Sequence, residues 1–222
     1  MNQILVVRHA QPAGAGEKWS GHWADPELSE TGRRQAAQAG DRVKALLNGS
    51  PCRIVSSDLR RAAQTAQAIG RALGQEIELR PELREYKDGL GPGMTTQDLL
   101  EYMPDPTPPI KDLLANPQRE TDREFHGRLV RCMEELLLEA NRTPVVVAHY
   151  GANNAIVKWW LQIETEAWLE TALASVTVLR IKPSGKRALE RLSDTAHLAR
   201  ISHHGVTEST ENGKVIGDES GR

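Results

Sequence analysis

The stretch Ile4-Leu5-Val6-Val7-Arg8-His9 joins four apolar residues directly to two basic ones. An unbroken apolar run of this length predicts a β-strand that is buried on both faces. Open α/β sheets bind their ligands at the carboxyl ends of their strands, where a guanidinium suits a phosphate and an imidazole can act as a nucleophile. Taken alone, however, Arg8 and His9 are better explained as a strand end in solvent, so the rest of the chain has to decide.

The composition is that of an ordinary soluble globular protein. The 222 residues carry 28 Lys and Arg against 30 Asp and Glu, a net charge of −2 that offers no overall attraction to nucleic acid or to an anionic membrane. No apolar stretch is long enough to span a membrane and no signal sequence is evident, so we expect a cytoplasmic protein. Cys52 and Cys132 lack a CxxC spacing, which predicts reduced thiols rather than a disulfide or a metal site.

Hydrophobic periodicity predicts strands that alternate with helices. The predicted strands are residues 2–8, 53–56, 77–79, 144–148, 176–181 and 188–192. The predicted helices are residues 30–47, 122–141 and 153–161, together with a helix that Ser56-Ser57-Asp58 caps and that runs to Leu73. This pattern predicts an α/β fold, a three-layer α/β/α sandwich with a mostly parallel central sheet and an antiparallel edge.

We expect one catalytic domain over residues 1–200 and a flexible C-terminal tail over residues 201–222, because the tail has few apolar residues. Residues 84–117 contain six prolines and three glycines, with one short helix predicted near residues 95–102. So irregular a segment inside a domain is typical of a lid or a binding loop.

Polar groups follow three of the predicted strands. His9 and His149 each end an apolar strand, and a third strand leads through Ser57 into a helix that bears Arg60 and Arg61. Parallel strands bring their carboxyl ends to one edge of a sheet, so these groups can converge there. Two arginines and two histidines would hold a dianionic tetrahedral group, and the helix N-terminus would add backbone donors.

The chain resembles the histidine phosphatase superfamily, also called phosphoglycerate mutase-like. The segments that carry the resemblance are Arg8-His9-Ala10, the block Ser56-Ser57-Asp58-Leu59-Arg60-Arg61-Ala62-Ala63-Gln64-Thr65-Ala66, the strand that ends in His149, and residues 25–36 and 193–198. The second block is the most specific of these. The resemblance covers about residues 1–198 and implies a phosphoglycerate mutase-like fold.

The resemblance also implies roles for individual residues. His9 would attack phosphorus and form a phosphohistidine, while Arg8, Arg61 and His149 would grip the phosphoryl oxygens. The family's acid falls on Glu85, and Arg60 falls on a variable position that suits a solvated charge. No metal and no cofactor are implied.

The chemistry is coherent with these assignments. A nucleophilic imidazole must be neutral, and surrounding positive charge lowers the pKa of His9. A Glu85 with a raised pKa could protonate the leaving alkoxide and then act as a base toward water. The residues that usually follow this acid in the family are missing, however, so Glu82 and Asp88 are rival candidates.

Two further positions depart from the family pattern. Residues 11–16 lack a usual auxiliary phosphate ligand, for which Gln11 is only a weak replacement. Tyr150 replaces the usual glycine after the second histidine, and it either narrows the pocket or adds a hydroxyl near the phosphate.

Three functions are compatible with these residues. The first is a metal-independent phosphatase that hydrolyses a phosphomonoester through a phosphohistidine on His9. The second is a phosphoglycerate mutase-type phosphoryl transfer, and the third is a weakly active or binding member of the same fold. We expect a small phosphorylated substrate, no nucleic acid and no membrane as partners, and exposed tryptophans would suit a homodimer. The substrate itself is left open.

Overall fold

Six strands form one mixed sheet in the computed structural model, which describes residues 3–14, 25–87, 120–138, 141–165 and 167–198. The strands are β1 (Gln3–Arg8), β2 (Cys52–Ser56), β3 (Ile77–Leu79), β4 (Thr143–Ala148), β5 (Val176–Ile181) and β6 (Arg187–Asp194). Their order across the sheet is β3-β2-β4-β1-β5-β6. The first four strands in that order are parallel, and β5 and β6 are antiparallel to their neighbours, so the predicted sheet is confirmed.

Helices cover both faces of this sheet. The helices of the described residues are α1 (Glu30–Leu47), α2 (Arg60–Leu73), α3 (Asp122–Leu138) and α4 (Tyr150–Leu161), with a 3-10 turn over Pro81–Leu83. Along β1, Ile4 and Val6 join the apolar cluster of α3 and α4, whereas Leu5 and Val7 join that of α1 and α2. The alternation follows from the period of two in a strand, and it confirms the three-layer sandwich.

The loop after β1 packs closely against the start of α1. Ser29 caps this helix, since its hydroxyl accepts a hydrogen bond from the N–H of Gly32 at 3.0 Å. A Cβ atom on Gly32 would lie 2.0 Å from the carbonyl oxygen of Gln11, so only glycine permits this approach. The side chain of Gln11 accepts a hydrogen bond from the Ser29 hydroxyl at 2.9 Å. Gln11 is therefore engaged in starting α1.

Two predicted helix starts are wrong. The predicted cap from Ser56-Ser57-Asp58 is not formed, because α2 begins after Leu59, which makes no side-chain capping hydrogen bond. Helix α4 begins at Tyr150, three residues before its predicted start, directly after the residue that follows β4. The reason is non-local: its first N–H groups are satisfied by a carboxylate from another part of the chain, described below, and a local pattern cannot reveal such a partner.

Several predictions lie outside the described residues: the short helix near 95–102, nearly all of the irregular segment from residue 88 onward, and the tail over 201–222. In the part of the chain that is described, no helix is both long and apolar enough to cross a membrane.

Candidate active site

The two histidines predicted to converge do lie side by side. Arg8 and Ala148 are partners at the ends of β1 and β4, and the N–H of His9 donates to the carbonyl of Ala148 at 2.9 Å. Because both strands end at the same level, the rings of His9 and His149 lie with their centroids 5.1 Å apart, inclined by 59°. Both side chains are buried, with exposures of 7% and 1%.

The ring of His9 is held in one tautomer. Its Nδ1 lies 2.9 Å from the carbonyl oxygen of Ala10, and a carbonyl only accepts hydrogen bonds, so Nδ1 carries the proton. Nε2 consequently keeps its lone pair. Burial first, then the charges of Arg61 and Arg8, lower the pKa of His9 to about 3, against a smaller opposing effect of the Ala10 carbonyl. His9 is therefore a neutral imidazole at physiological pH.

His149 is neutral as well. Burial, followed by the charge of Arg61, lowers its pKa well below the ordinary value. Its Nε2 lies 2.8 Å from the hydroxyl of Ser57, and that hydroxyl also accepts a weak hydrogen bond from the N–H of Leu59 at 3.3 Å. Nδ1 of His149 is buried and has no hydrogen-bond partner among the described residues. Ser57, expected to cap a helix, thus orients a histidine.

Arg8 is held from the side of the loop before β5. Its Nη1 donates to the carbonyl of Thr171 at 2.5 Å, and its guanidinium lies 4.9 Å from the centre of the Tyr150 ring. Nε of Arg8 is buried and unpartnered within the described part of the chain. Burial lowers the pKa of Arg8, but the carboxylate of Glu85 opposes this, and an arginine stays charged at physiological pH.

Arg61 lies buried in the first turn of α2, whereas its neighbour Arg60 is exposed and pairs with Glu27 on the surface, as predicted. Burial lowers the pKa of Arg61, and Glu85 again opposes the shift. The hydroxyl of Thr65 connects this turn to the loop after β1: it accepts from the N–H of Ala10 at 3.0 Å and donates to the carbonyl of Arg61 at 2.7 Å.

Glu85 is buried at the N-terminus of α4. Its Oε2 accepts a hydrogen bond from the N–H of Gly151 at 2.8 Å, and its Oε1 accepts from Ala152 at 3.1 Å and from Tyr86 at 2.9 Å. These donors and the positive end of the helix stabilise a carboxylate there. A Cβ atom on Gly151 would lie 2.6 Å from Oε1, so the glycine makes room for the acid.

Only one of the two rivals of Glu85 lies within the described residues. Glu82 is exposed on the 3-10 turn, and Asp88 lies outside the described residues. Sequence reasoning missed Arg128, which holds the segment that carries Glu85. Arg128 donates to the carbonyls of Glu82 at 2.6 Å, Arg84 at 2.8 Å and Glu85 at 3.0 Å, and it pairs with Glu120 at 2.6 Å.

Tyr150 contacts the site through its ring. Its hydroxyl donates to Oε1 of Glu170 at 2.8 Å. Its ring contacts the Arg8 guanidinium and stacks on the ring of Trp168, with the two ring centroids 5.5 Å apart. Two roles were considered for Tyr150, a narrowing of the pocket and a hydroxyl near the phosphate. The hydroxyl is bound to Glu170, and it is the ring that contacts Arg8.

The described residues therefore assemble one buried and one half-buried arginine, two neutral histidines and one carboxylate at the carboxyl edge of the sheet: Arg61, Arg8, His9, His149 and Glu85. The cationic groups suit an oxyanion, and His9 Nε2 is a free nucleophile beside them. Histidine, arginine and carboxylate can thus supply a nucleophile, charge stabilisation and proton transfer.

Known proteins have the same fold and related sequences. The chain is 28% identical over 188 residues to a probable phosphoglycerate mutase of Cronobacter sakazakii, covering 82% of this chain and 85% of that protein. It is 30% identical over 179 residues to a glucosyl-3-phosphoglycerate phosphatase of Mycolicibacterium vanbaalenii, covering 76% and 78%. The solved structure of a mycobacterial glucosyl-3-phosphoglycerate phosphatase superposes with a TM-score of 0.71 at 26% identity, covering 87% of this chain and 99% of that one.

The family model of the histidine phosphatase superfamily, branch 1, matches residues 4–195. Apart from Gln3, that range includes all six strands, and it includes the whole cluster of arginines and histidines. The chain therefore belongs to the histidine phosphatase superfamily.

Proposed function

We propose that the chain is a phosphatase that hydrolyses a small phosphomonoester, without a metal, through a phosphohistidine on His9. The observation that carries this proposal is the state of His9: it is neutral, its Nδ1 is fixed by the Ala10 carbonyl, and its Nε2 is left as the nucleophile. A histidine with a purely structural role in a core would not require two arginines beside it. Membership of the superfamily and phosphatase-named relatives give further support.

In the first half-reaction, Nε2 of His9 attacks phosphorus and the bond from phosphorus to the substrate oxygen breaks. The leaving oxygen takes a proton from Glu85, which acquires that proton when the anionic phosphate group binds beside it. Arg8 and Arg61 neutralise the charge that spreads over the equatorial oxygens. Nη1 of Arg8 is engaged by Thr171, so Nε remains as its buried donor for the oxyanion.

In the second half-reaction, water attacks the phosphohistidine while Glu85 accepts its proton, and the bond between phosphorus and Nε2 breaks. Phosphate leaves and His9 returns to its neutral form. His149, also neutral, donates a hydrogen bond from Nδ1 to a phosphoryl oxygen in both halves, while its Nε2 accepts from the hydroxyl of Ser57.

A mutase is the second candidate, because several relatives are named probable phosphoglycerate mutase. Such an enzyme would use the same phosphohistidine but return the phosphoryl group to another hydroxyl, so it would have to keep water away from the intermediate.

The expected homodimer, the cytoplasmic location and the division into residues 1–200 and a tail over 201–222 stay predictions. Trp160 is buried in the core, which leaves Trp168 as the most exposed tryptophan of the described residues.

The test is to incubate the protein with a panel of phosphomonoesters and to trap an acid-labile phosphoenzyme. A phosphatase releases phosphate steadily, and His9→Ala abolishes both the release and the labelled intermediate. His126→Ala is the matched control, because His126 is exposed on α3 and should leave both unchanged. Isomerisation of a phosphoglycerate with little phosphate release would favour the mutase instead. The absence of any phosphohistidine with every substrate would contradict both enzyme hypotheses.

A further inference from the structure

Residues on one side of helix α4 contact the chain segment that hydrogen-bonds to Arg8. Tyr150, Asn154 and Lys158 follow one another at intervals of four residues, so they lie on one side of the helix. Each contacts the segment that returns toward β5, whose residues 167–171 we call the strap. Lys158 donates to the carbonyl of Thr165 at 2.9 Å, just before the strap, and Tyr150 donates to Glu170 within it.

Asn154 makes the central contact on this side of the helix. Its Oδ1 accepts from the N–H of Leu169 at 2.7 Å, and its Nδ2 donates to the carbonyl of Leu169 at 3.0 Å and to that of Tyr150 at 3.1 Å. The side chain is only 2% exposed. A buried amide whose two ends bind the two backbone groups of one residue fixes that residue's position along the helix, since a shift in either direction breaks both bonds.

The strap ends on the arginine of the site. Two residues after Leu169, the carbonyl of Thr171 accepts the hydrogen bond from Nη1 of Arg8 at 2.5 Å, and Thr171 is itself buried. The carboxylate of Glu170 lies close enough to Arg8 to oppose the lowering of its pKa by burial. The rotation of the guanidinium is therefore set by the position of a backbone carbonyl, which in turn depends on the strap.

We propose that Asn154 is a positioning residue for Arg8: through the backbone of Leu169 and the carbonyl of Thr171 it sets the guanidinium in the orientation that binds the phosphoryl oxygens. This inference rests on the proposed function, in which Arg8 binds those oxygens. Asn154 touches neither the substrate nor the reacting atoms in this scheme.

The physical reason is the geometry that oxyanion binding demands. Without the amide, the N–H and the carbonyl of Leu169 lose these partners, and the strap is no longer held at one position along the helix. A displacement of about 1 Å in a group that binds a transition state can cost about 100-fold in rate. The effect of Asn154 should thus be seen in oxyanion affinity and in kcat, beyond any loss of stability.

The experiment measures the dissociation constants of orthovanadate and inorganic phosphate for the full chain and its variants. We expect Asn154→Ala to weaken orthovanadate binding about 10-fold and Arg8→Ala to weaken it more. In the double variant, Asn154→Ala should add less than about 2-fold to the effect of Arg8→Ala, because contacting residues of one network are not additive. Full additivity would overturn the proposal, since Asn154 would then act independently of Arg8.

Leu47→Ala is the control for lost stability. Leu47 is buried at the end of α1 on the opposite face of the sheet, so this variant should lower the melting temperature without changing orthovanadate affinity. Should Asn154→Ala fail to fold, Tyr150→Phe tests instead whether a contact between helix α4 and the strap affects oxyanion binding. It removes the bond to Glu170 but keeps the ring beside Arg8, and we expect orthovanadate to bind about 2- to 3-fold more weakly.

The outcomes separate this inference from the proposed function. If Arg8→Ala weakens orthovanadate binding while Asn154→Ala and Tyr150→Phe leave it unchanged, Asn154 has no positioning role and the proposed function stands. If Arg8→Ala itself leaves the affinity unchanged, both proposals are overturned.

Discussion

Oε2 of Glu85 accepts a hydrogen bond from the N–H of Gly151 at 2.8 Å, across 66 residues of sequence. This bond joins the segment after the 3-10 turn to the first turn of α4, the helix that directly follows His149. The acid of the site and the second histidine are thus held in one arrangement. Disturbing either end of the bond should affect catalysis before it affects the fold.

Gly151→Ala should move the acid. The added methyl carbon would lie 2.6 Å from Oε1 of Glu85, a distance that forces the carboxylate aside. We expect kcat to fall about 100-fold, with a loss of about 1–3 kcal/mol in the free energy of unfolding. Steady-state kinetics and urea unfolding measure the two effects. Gly127→Ala is the matched control: it lies in α3, its Cβ would meet only the mobile end of Arg131, and it should stabilise the protein slightly with unchanged kcat.

Glu85→Gln should reveal a proton donor through its dependence on the leaving group. The amide keeps the size of the side chain but cannot protonate an alkoxide. We expect the loss in kcat/KM to be about 100-fold or more for an alkyl phosphate and clearly smaller for p-nitrophenyl phosphate, whose leaving group needs no proton. The exposed rival is tested by Glu82→Gln, which should resemble the wild type with both substrates. Equal losses with both substrates would contradict the acid role of Glu85.

The pKa of His9 predicts a pH dependence of stability. Its pKa is about 3 in the folded protein and about 6.5 when unfolded, so the unfolded chain binds the extra proton between these values. The stabilising contribution is therefore complete above pH 6.5 and is lost as the pH falls toward 3. Between pH 7 and pH 5, His9 should account for a decrease of about 2 kcal/mol in the free energy of unfolding.

Urea unfolding of the wild type and of His9→Asn at both pH values measures this contribution as the difference between their pH slopes. The same low pKa predicts that kcat/KM shows no acid limb from His9 near pH 6.5. Identical pH slopes in the two proteins would contradict the assignment of His9 as a buried neutral imidazole.

Arg128→Met should loosen the segment that carries Glu85. The guanidinium binds three carbonyls there and the carboxylate of Glu120, all of which would lose a charged donor. We expect a loss of about 2–4 kcal/mol in the free energy of unfolding, because partly buried groups lose their partners. Arg123→Met offers a control on the same helix, since Arg123 is exposed in its first turn and should change stability by less than about 0.5 kcal/mol. Similar losses in both variants would show that the carbonyl contacts contribute little.

Much of the fold could be predicted because it depends on local patterns. The apolar run before Arg8 and the equally apolar run before His149 each form a buried strand, and their adjacency follows from parallel pairing. What the sequence could not show are partners that lie far apart along the chain. Helix α4 starts early because Glu85 satisfies its first N–H groups, and Ser57 binds His149 in place of capping a helix.

The same reason explains the groups that sequence reasoning missed. In the sequence, Arg128 is one more charge on an amphipathic helix, and Asn154 is a polar residue at the start of a predicted helix. Only the folded chain brings Arg128 to the carbonyls around Glu85 and Asn154 to the backbone of Leu169. Local periodicity predicts which face of a helix is buried, but it carries no information on which buried polar group meets which.

Strand β1 has neighbours on both sides, β4 and β5, so it lies inside the sheet rather than at an edge. Its amides, and that of His9 bound to Ala148, can exchange with solvent deuterium only when the sheet itself opens, whereas the outermost strands can fray separately. The nucleophile therefore directly follows a strand that is released only when the sheet opens. A destabilising substitution elsewhere would reduce the number of folded molecules while leaving the geometry around His9 intact in those that remain.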